Sequence, residues 1–275
     1  MFFCNGFSST IVLLWRSPPP IVTNADKVLF PRDGLTKTDV VRYYEDVAPV
    51  LLAHLAGRVV VGQRWPDGID ELTWYQHRIP PRAPDYVKGA WIDGDRRIRV
   101  DSRDALLWLV NQAALTFHTW PSRVASLAEP DWVMLDLDPG ETTRWQDTIA
   151  VALTVRQVLE TLELPSVVKT SGKKGIHVLV PIGPGHGVQQ AHDVARGIAG
   201  VVARLHPALA TLEADKEKRK GRLYLDHLQS YVGRSLVAPY ALRAADGAPV
   251  STPIEWSEVT PALDPRATSL RTLRA

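Results

Sequence analysis

The stretch Asp131-Trp132-Val133-Met134-Leu135-Asp136-Leu137-Asp138-Pro139-Gly140 constrains the fold of this chain more than any other. Val133 to Leu137 reads as a short buried strand, apolar except for Asp136, and Pro139-Gly140 stops it with turn chemistry. Residues two apart on a strand leave the same face, so the Asp136 and Asp138 carboxylates emerge together. Carboxylates that close raise each other's proton affinity unless something positive stands between them, and a divalent cation with oxygen ligands is the usual remedy. The pattern fits a nucleotidyltransferase, in which metals clamp a triphosphate and an attacking hydroxyl. It equally fits an aspartyl-phosphate phosphatase, in which the first Asp is itself the nucleophile. A solvated pair at a strand end is the plain alternative.

The second informative stretch is Ser171-Gly172-Lys173-Lys174-Gly175-Ile176-His177. Its glycines let backbone approach a ligand closely, and its hydroxyl, lysines and amides suit phosphate oxygens. It joins strand to strand and has the wrong spacing for a Walker A loop. A third stretch, Gly221-Arg222-Leu223-Tyr224-Leu225-Asp226, follows the charge run Lys216-Glu217-Lys218-Arg219-Lys220, in which Lys216, Lys218 and Lys220 read as a solvated face. Asp226 ends an apolar strand as Asp138 does, and either completes a three-carboxylate metal site or caps a turn. Gln229 follows, and Arg243 lies just after an apolar segment, held rigid for a bidentate grip on phosphate or for an ordinary salt bridge. His118, between Phe117 and Trp120, reads on its own as a packed structural histidine.

The surrounding pattern is a mixed α/β (α+β) one. Thr36 caps an amphipathic helix running to about Leu55. Arg58 to Gly62 and Leu72 to Gln76 read as strands, and Tyr86 to Val100 as a hairpin turning at Asp93-Gly94-Asp95. Asp101-Ser102 caps a helix over Ala105 to Leu115, with Phe117-His118-Thr119-Trp120 directly after it. Helices are expected over Trp145 to Leu162 and Val188 to Leu205. Strands are expected over Val167 to Thr170, Ile176 to Pro181 and Arg222 to Leu225, with tail elements over Pro253 to Val259 and Thr268 to Leu273. Residues 1–20 read as a loose extension, and 21–275 as the domain.

The 275 residues can bury a sizeable core. A net charge of only +2 means that a nucleic-acid surface must come from local clustering. The single cysteine, Cys4, excludes an internal disulfide and a cysteine-based zinc site, which points to a reducing, cytoplasmic setting. No apolar run approaches the roughly 18 residues of a membrane span.

Taken together and in order, the Leu135–Gly140, Thr170–Val178 and Gly221–Asp226 stretches resemble the primase-polymerase domain of bacterial ligase D, a branch of the archaeo-eukaryotic primase superfamily. Asn24-Ala25-Asp26-Lys27-Val28-Leu29, Arg64-Trp65-Pro66-Asp67-Gly68, Phe117-His118-Thr119-Trp120, Val237-Ala238-Pro239-Tyr240-Ala241-Leu242-Arg243 and Val250-Ser251-Thr252-Pro253 extend the resemblance over about residues 21 to 275.

The resemblance implies a template-directed polymerase that extends primers at gaps and broken DNA ends in non-homologous end joining. It would favour ribonucleotides and use two divalent ions, Mn2+ or Mg2+, with a bound nucleoside triphosphate. By position it makes Asp136, Asp138 and Asp226 the metal carboxylates. His118, Ser171, Lys174, His177, Gln229 and Arg243 fall where the family holds the incoming nucleotide. Asn24, Lys27 and Lys37 fall where it holds a downstream 5′-phosphate. Arg64 belongs to a motif on the DNA side, and Trp74 and Tyr75 replace a phenylalanine pair that stacks on template bases. An ATP-dependent ligase and a Ku-type end-binding protein are the implied partners, and no membrane is. Gln63 and His77 depart from the family by standing where lysines are common, which removes positive charge along the template path. No ligase or nuclease domain follows, which fits a stand-alone paralogue or an excised domain. A non-catalytic DNA-end bridging module would keep Asn24, Lys27 and the aromatics without needing three carboxylates.

Overall fold

The structure is a computed structural model and describes residues 21–273. The loose extension expected over residues 1–20 lies outside the described residues. In chain order the strands are β1 (Val28–Phe30), β2 (Leu35–Thr36), β3 (Arg58–Arg64), β4 (Trp74–Gln76), β5 (Gly89–Ile92), β6 (Asp95–Ile98) and β7 (Ala114–Arg123). They continue with β8 (Trp132–Asp138), β9 (Val167–Thr170), β10 (Ile176–Pro181), β11 (Ala210–Thr211), β12 (Leu223–Asp226), β13 (Leu236–Val237) and β14 (Pro253–Ile254). The helices are α1 (Lys37–Leu55), α2 (Arg103–Asn111), α3 (Trp145–Thr161) and α4 (Val188–Leu205).

Two sheets carry the architecture. One has six strands in the order β11-β12-β8-β10-β9-β14, antiparallel except for β11–β12. The other has four antiparallel strands in the order β13-β7-β3-β4. The six-stranded sheet buries Val133, Leu135, Leu137, Ile176, Val178 and Leu225 against Ile149, Val155 and Leu159 of α3 and Ala195, Ile198 and Val202 of α4. Strand alternation then turns Asp136 and Asp138 to the face away from these helices. The four-stranded sheet packs Val60, Leu115 and Phe117 against α1 and α2.

Local chemistry explains most boundaries. Thr36 accepts from the Asp39 amide and Asp39 accepts from the Thr36 amide, a reciprocal capping box that starts α1. The β5–β6 hairpin turns on Asp93 and Gly94, both at positive φ, as a two-residue turn matching strand twist requires.

The main departure from the sequence reading is at α2. The helix expected to reach Leu115 stops at Asn111, and Ala113 turns the chain with a left-handed φ of 59°. The long strand β7 follows, taking in Leu115 and the Phe117–Trp120 stretch. Its first nine residues are buried, so the polar alternation that marks a half-exposed strand is missing. The strand expected over Leu72 to Gln76 is confined to Trp74–Gln76, with Leu72 exposed. The tail over Thr268 to Leu273 forms turns rather than an element of its own, and Pro253 to Val259 divides into β14 and a 3-10 turn.

Candidate active site

Side chains directly opposite one another on paired strands share a face. Across the six-stranded sheet, Asp226 of β12 is opposite Asp136 of β8, Asp136 is opposite His177 of β10, and His177 is opposite Lys169 of β9. Asp138, two residues along β8, joins the same face opposite Tyr224. The sequence therefore folds two carboxylates at one strand end and a third at another into one cluster.

Each carboxylate is engaged by protein groups. Asp136 Oδ1 lies 3.4 Å from His177 Nε2. Asp138 pairs with Arg219 at 3.2 Å and Lys174 at 3.7 Å. Asp226 accepts from Gln229 Nε2 at 2.7 Å and the Leu228 amide at 2.9 Å. Burial, then the Asp226 and Asp138 charges, push the Asp136 carboxyl up to about 7, with Lys169 and Arg243 working against them. Among the described residues no three Asp, Glu, His or Cys side chains already converge in coordinating geometry. The donor chemistry nevertheless fits a hard divalent cation: oxygen ligands, excess negative charge, and a carboxyl whose raised proton affinity a cation would relieve.

Beside this row opens a cavity of about 570 Å³. Its lining includes Asp136 and Asp138 together with His118, Ser171, Lys174, His177, Gln229 and Arg243. All six residues expected at the nucleotide thus meet in one cavity, while Asp226 stands beside it, bonded to Gln229. Of the buried side-chain nitrogens that lack a hydrogen-bond partner among the described residues, three line this cavity: His118 Nδ1, His177 Nδ1 and Arg243 Nε. Buried polar atoms are rarely left so, and here they belong to side chains lining the cavity, as a polar ligand would require. Burial, with Arg243, Lys169 and Lys173, pulls His118 down to about 3. Burial and the cations Lys169 and Arg243 likewise hold His177 well below the usual histidine range. Both imidazoles are neutral near pH 7 and can each donate one hydrogen bond.

The 171–175 loop departs from expectation in the use of its glycines. A Cβ on Gly172, whose φ is +71°, would stand 2.7 Å from Arg243 Cγ and 2.9 Å from the Ser251 amide nitrogen. One on Gly175 would stand 2.6 Å from the Leu137 carbonyl oxygen. The closeness the glycines permit is therefore to the protein itself, and it sets the loop against β8 and Arg243. The Ser171 hydroxyl accepts from the Gly175 amide at 2.9 Å and the Lys173 amide at 3.2 Å, which folds the loop.

Arg219 is a residue that sequence reading missed. It lay in a charge run whose lysines read as solvated and was given no role, yet it is largely buried, bonded to Asp138 and packed over Tyr224 at 4.1 Å. Its position one turn before a strand that ends in Asp was the available signal.

A second cationic cluster lies around the start of α1. Lys37 is buried, and its Nζ donates to the Thr23 carbonyl at 2.6 Å and hydroxyl at 3.1 Å. Burial, with Lys27 and Arg64 nearby, lowers its proton affinity. Lys37 is thus no solvated lysine, although the capping box already engages part of the helix N-terminus. Lys27 pairs with Asp67 at 2.5 Å, and Asn24 holds the turn before it at a φ of 50°. Arg64 lies 5.0 Å over the Trp74 ring, and Trp74 and Tyr75 are half exposed on β4. Tyr75 also meets His118 edge-on at 5.7 Å, which links the aromatic strand to the cavity.

Comparison with known proteins gives consistent matches. Residues 36–275 match the family model described as LigD, primase-polymerase domain. The chain is 32% identical over 256 residues to the multifunctional non-homologous end joining protein LigD of Mycolicibacterium smegmatis, covering 91% of this chain and 33% of that protein. It is 30% identical over 252 residues to the bifunctional non-homologous end joining protein LigD of Bacillus subtilis, covering 91% of this chain and 41% of that one. The chain therefore spans between a third and two-fifths of the length of these relatives. The polymerase domain from Mycobacterium tuberculosis ligase D, solved in complex with DNA, superposes with a TM-score of 0.84 at 34% identity, covering 92% of each chain. A family model over most of the sequence and a solved relative over nearly all of the fold agree: the chain belongs to the LigD primase-polymerase domain family and is a nucleotidyltransferase.

Proposed function

We propose that this protein is a template-directed polymerase that adds nucleotides to primer 3′ ends at gaps and broken DNA ends, in repair by non-homologous end joining. The observation that carries the reading is the cross-strand row of Asp226, Asp136 and His177 beside a cavity lined by Ser171, Lys174 and Arg243. Phosphoryl transfer asks a protein mainly for positioning and charge, and the row and cavity offer both without a protein nucleophile. Asp136, Asp138 and Asp226 would hold Mn2+ or Mg2+, which when bound supplies positive charge at the triphosphate and primer hydroxyl. Lys174 and Arg243 would grip phosphate oxygens, and neutral His118 and His177 would each donate one bond. Gln229 would orient Asp226.

The Asn24, Lys27 and Lys37 cluster would hold the downstream 5′-phosphate, with Trp74 and Tyr75 against template bases. A gapped DNA end and a nucleoside triphosphate are the substrates. An ATP-dependent ligase and a Ku-type protein are the partners, in the cytoplasm. Preference for ribonucleotides rests on family resemblance.

The test is primer extension on a gapped duplex carrying a downstream 5′-phosphate, with manganese and either ribo- or deoxyribonucleotides. Templated addition, faster with ribonucleotides, supports the reading. Binding without addition would favour an end-bridging module.

A further inference from the structure

At the far end of the catalytic row, Lys169 is 2% exposed and does not line the cavity. Its Nζ donates to Ser251 Oγ at 2.6 Å, and that hydroxyl donates to the Thr170 carbonyl at 2.9 Å. Ser251 is itself completely buried, and its backbone reaches the opposite way. The Ser251 amide donates to the Ala241 carbonyl at 3.0 Å, and its carbonyl accepts from the Tyr240 amide at 2.7 Å. Arg243 follows two residues after Ala241, and its own amide bonds to Pro249 at 2.8 Å in the same hairpin.

Ser251 is therefore a joint. One side of it holds the strand whose ladder runs through His177 to Asp136, and the other holds the hairpin that presents Arg243. Gly172 is wedged at the same point, with no room for a Cβ between the loop, Arg243 and Ser251. Neighbouring strands of a sheet can shift relative to a packed loop unless side chains tie them, and a buried charged hydrogen bond is a strong tie.

We propose that Lys169 and Ser251 form a positioning strut that fixes the distance between the carboxylate row and the Arg243 guanidinium, and so sets affinity for the nucleoside triphosphate. Neither residue touches the nucleotide. They act through His177, Asp136 and Arg243, and the proposal rests on the nucleotidyltransferase reading of the cavity. The low exposure of Lys169 and the nearby Arg243 charge also depress its proton affinity, with Asp136 opposing.

The test measures ATP binding in the presence of manganese by calorimetry, and gapped-duplex binding separately, for wild type, Ser251→Ala, Lys169→Met and the double variant. Ser251→Ala deletes one oxygen and keeps the shape of the joint, so it remains informative if Lys169→Met folds poorly. ATP affinity is expected to fall at least about tenfold in each single variant, the scale of a lost hydrogen bond to a buried charge. The double variant should be no weaker than Lys169→Met alone, because the two residues make one interaction. DNA affinity should stay within about twofold of wild type, since the α1 cluster and β4 lie outside the joint. ATP binding by Ser251→Ala within about twofold of wild type would overturn the proposal, as would additive losses in the double variant or equal losses for ATP and DNA. No measurable ATP binding by wild type would sink the nucleotidyltransferase reading and the strut with it. Normal wild-type binding with an unaffected Ser251→Ala would sink the strut alone.

Discussion

Asp226 lies directly opposite Asp136 across the β12–β8 ladder, while Arg219, one of the cations buried nearby, bonds to Asp138 instead. Like charges opposite one another weaken a sheet. The Asp226–Asp136 pair therefore costs the sheet stability, a cost that the proposed metal site would account for.

A pH dependence follows for the metal-free protein. The Asp136 carboxyl titrates near 7 when folded, against about 3.9 for an unfolded aspartate. Between those values the folded state holds a proton that the unfolded state has lost, so stability falls as pH rises from about 4 to 7. Asp136→Asn removes that penalty. With chelator present, it should be the more stable protein by roughly 2–4 kcal/mol at pH 8 and nearly equal to wild type at pH 4. Thermal unfolding across this range checks it, and a gap that does not change with pH would refute it.

Asp226→Asn should reduce primer extension at least a hundredfold while gapped-duplex binding changes little, because phosphoryl transfer depends on metal charge and positioning. Equal losses in both would mark Asp226 as a cap for the Leu228–Ser230 turn that follows it.

The two lysines of the α1 cluster should separate. Lys27 pairs with exposed Asp67, so Lys27→Ala should abolish any preference for a downstream 5′-phosphate with little loss of stability. Buried Lys37 also ties down Thr23, so Lys37→Ala should lose the preference and about 1–3 kcal/mol of stability. Binding to gapped duplexes with and without the phosphate, beside denaturant unfolding, measures both. A wild type indifferent to the phosphate at moderate salt would remove the pocket and weaken the end-joining assignment.

Gly172→Ala should cost about 1–3 kcal/mol of stability and weaken nucleotide binding, since it sets a Cβ at positive φ against Arg243 and Ser251. A variant as stable as wild type with unchanged ATP affinity would mean that the loop can move away from Arg243.

Part of this site was legible because two of its carboxylates sit at the end of a short apolar strand, where a charged residue stands out. Asp136 and Asp138 could be picked that way, and the strand-loop-strand around Ser171 to Gly175 by its glycines, whereas Asp226, His118, Gln229 and Arg243 were placed in the site only through the family resemblance. Register could not be read: nothing local says that Asp226 lies opposite Asp136, because β12 reaches β8 only after α3, β9, β10, α4 and β11 have intervened. The same non-local pairing hid Lys169, which in sequence is one polar residue on a strand, and Ser251, which is unremarkable until it meets Lys169. The β7 boundary was lost for a different reason. A strand buried along nearly its whole length has no alternation to separate it from the helix before it.

The most direct test of the central claim is to count pyrophosphate released against nucleotides added on a gapped duplex with manganese, for wild type and Asp136→Ala. The account predicts one pyrophosphate per nucleotide for wild type and neither product for Asp136→Ala, with that variant still folded and binding DNA. Extension by Asp136→Ala at the wild-type rate, or release of inorganic phosphate in place of pyrophosphate by wild type, would contradict it.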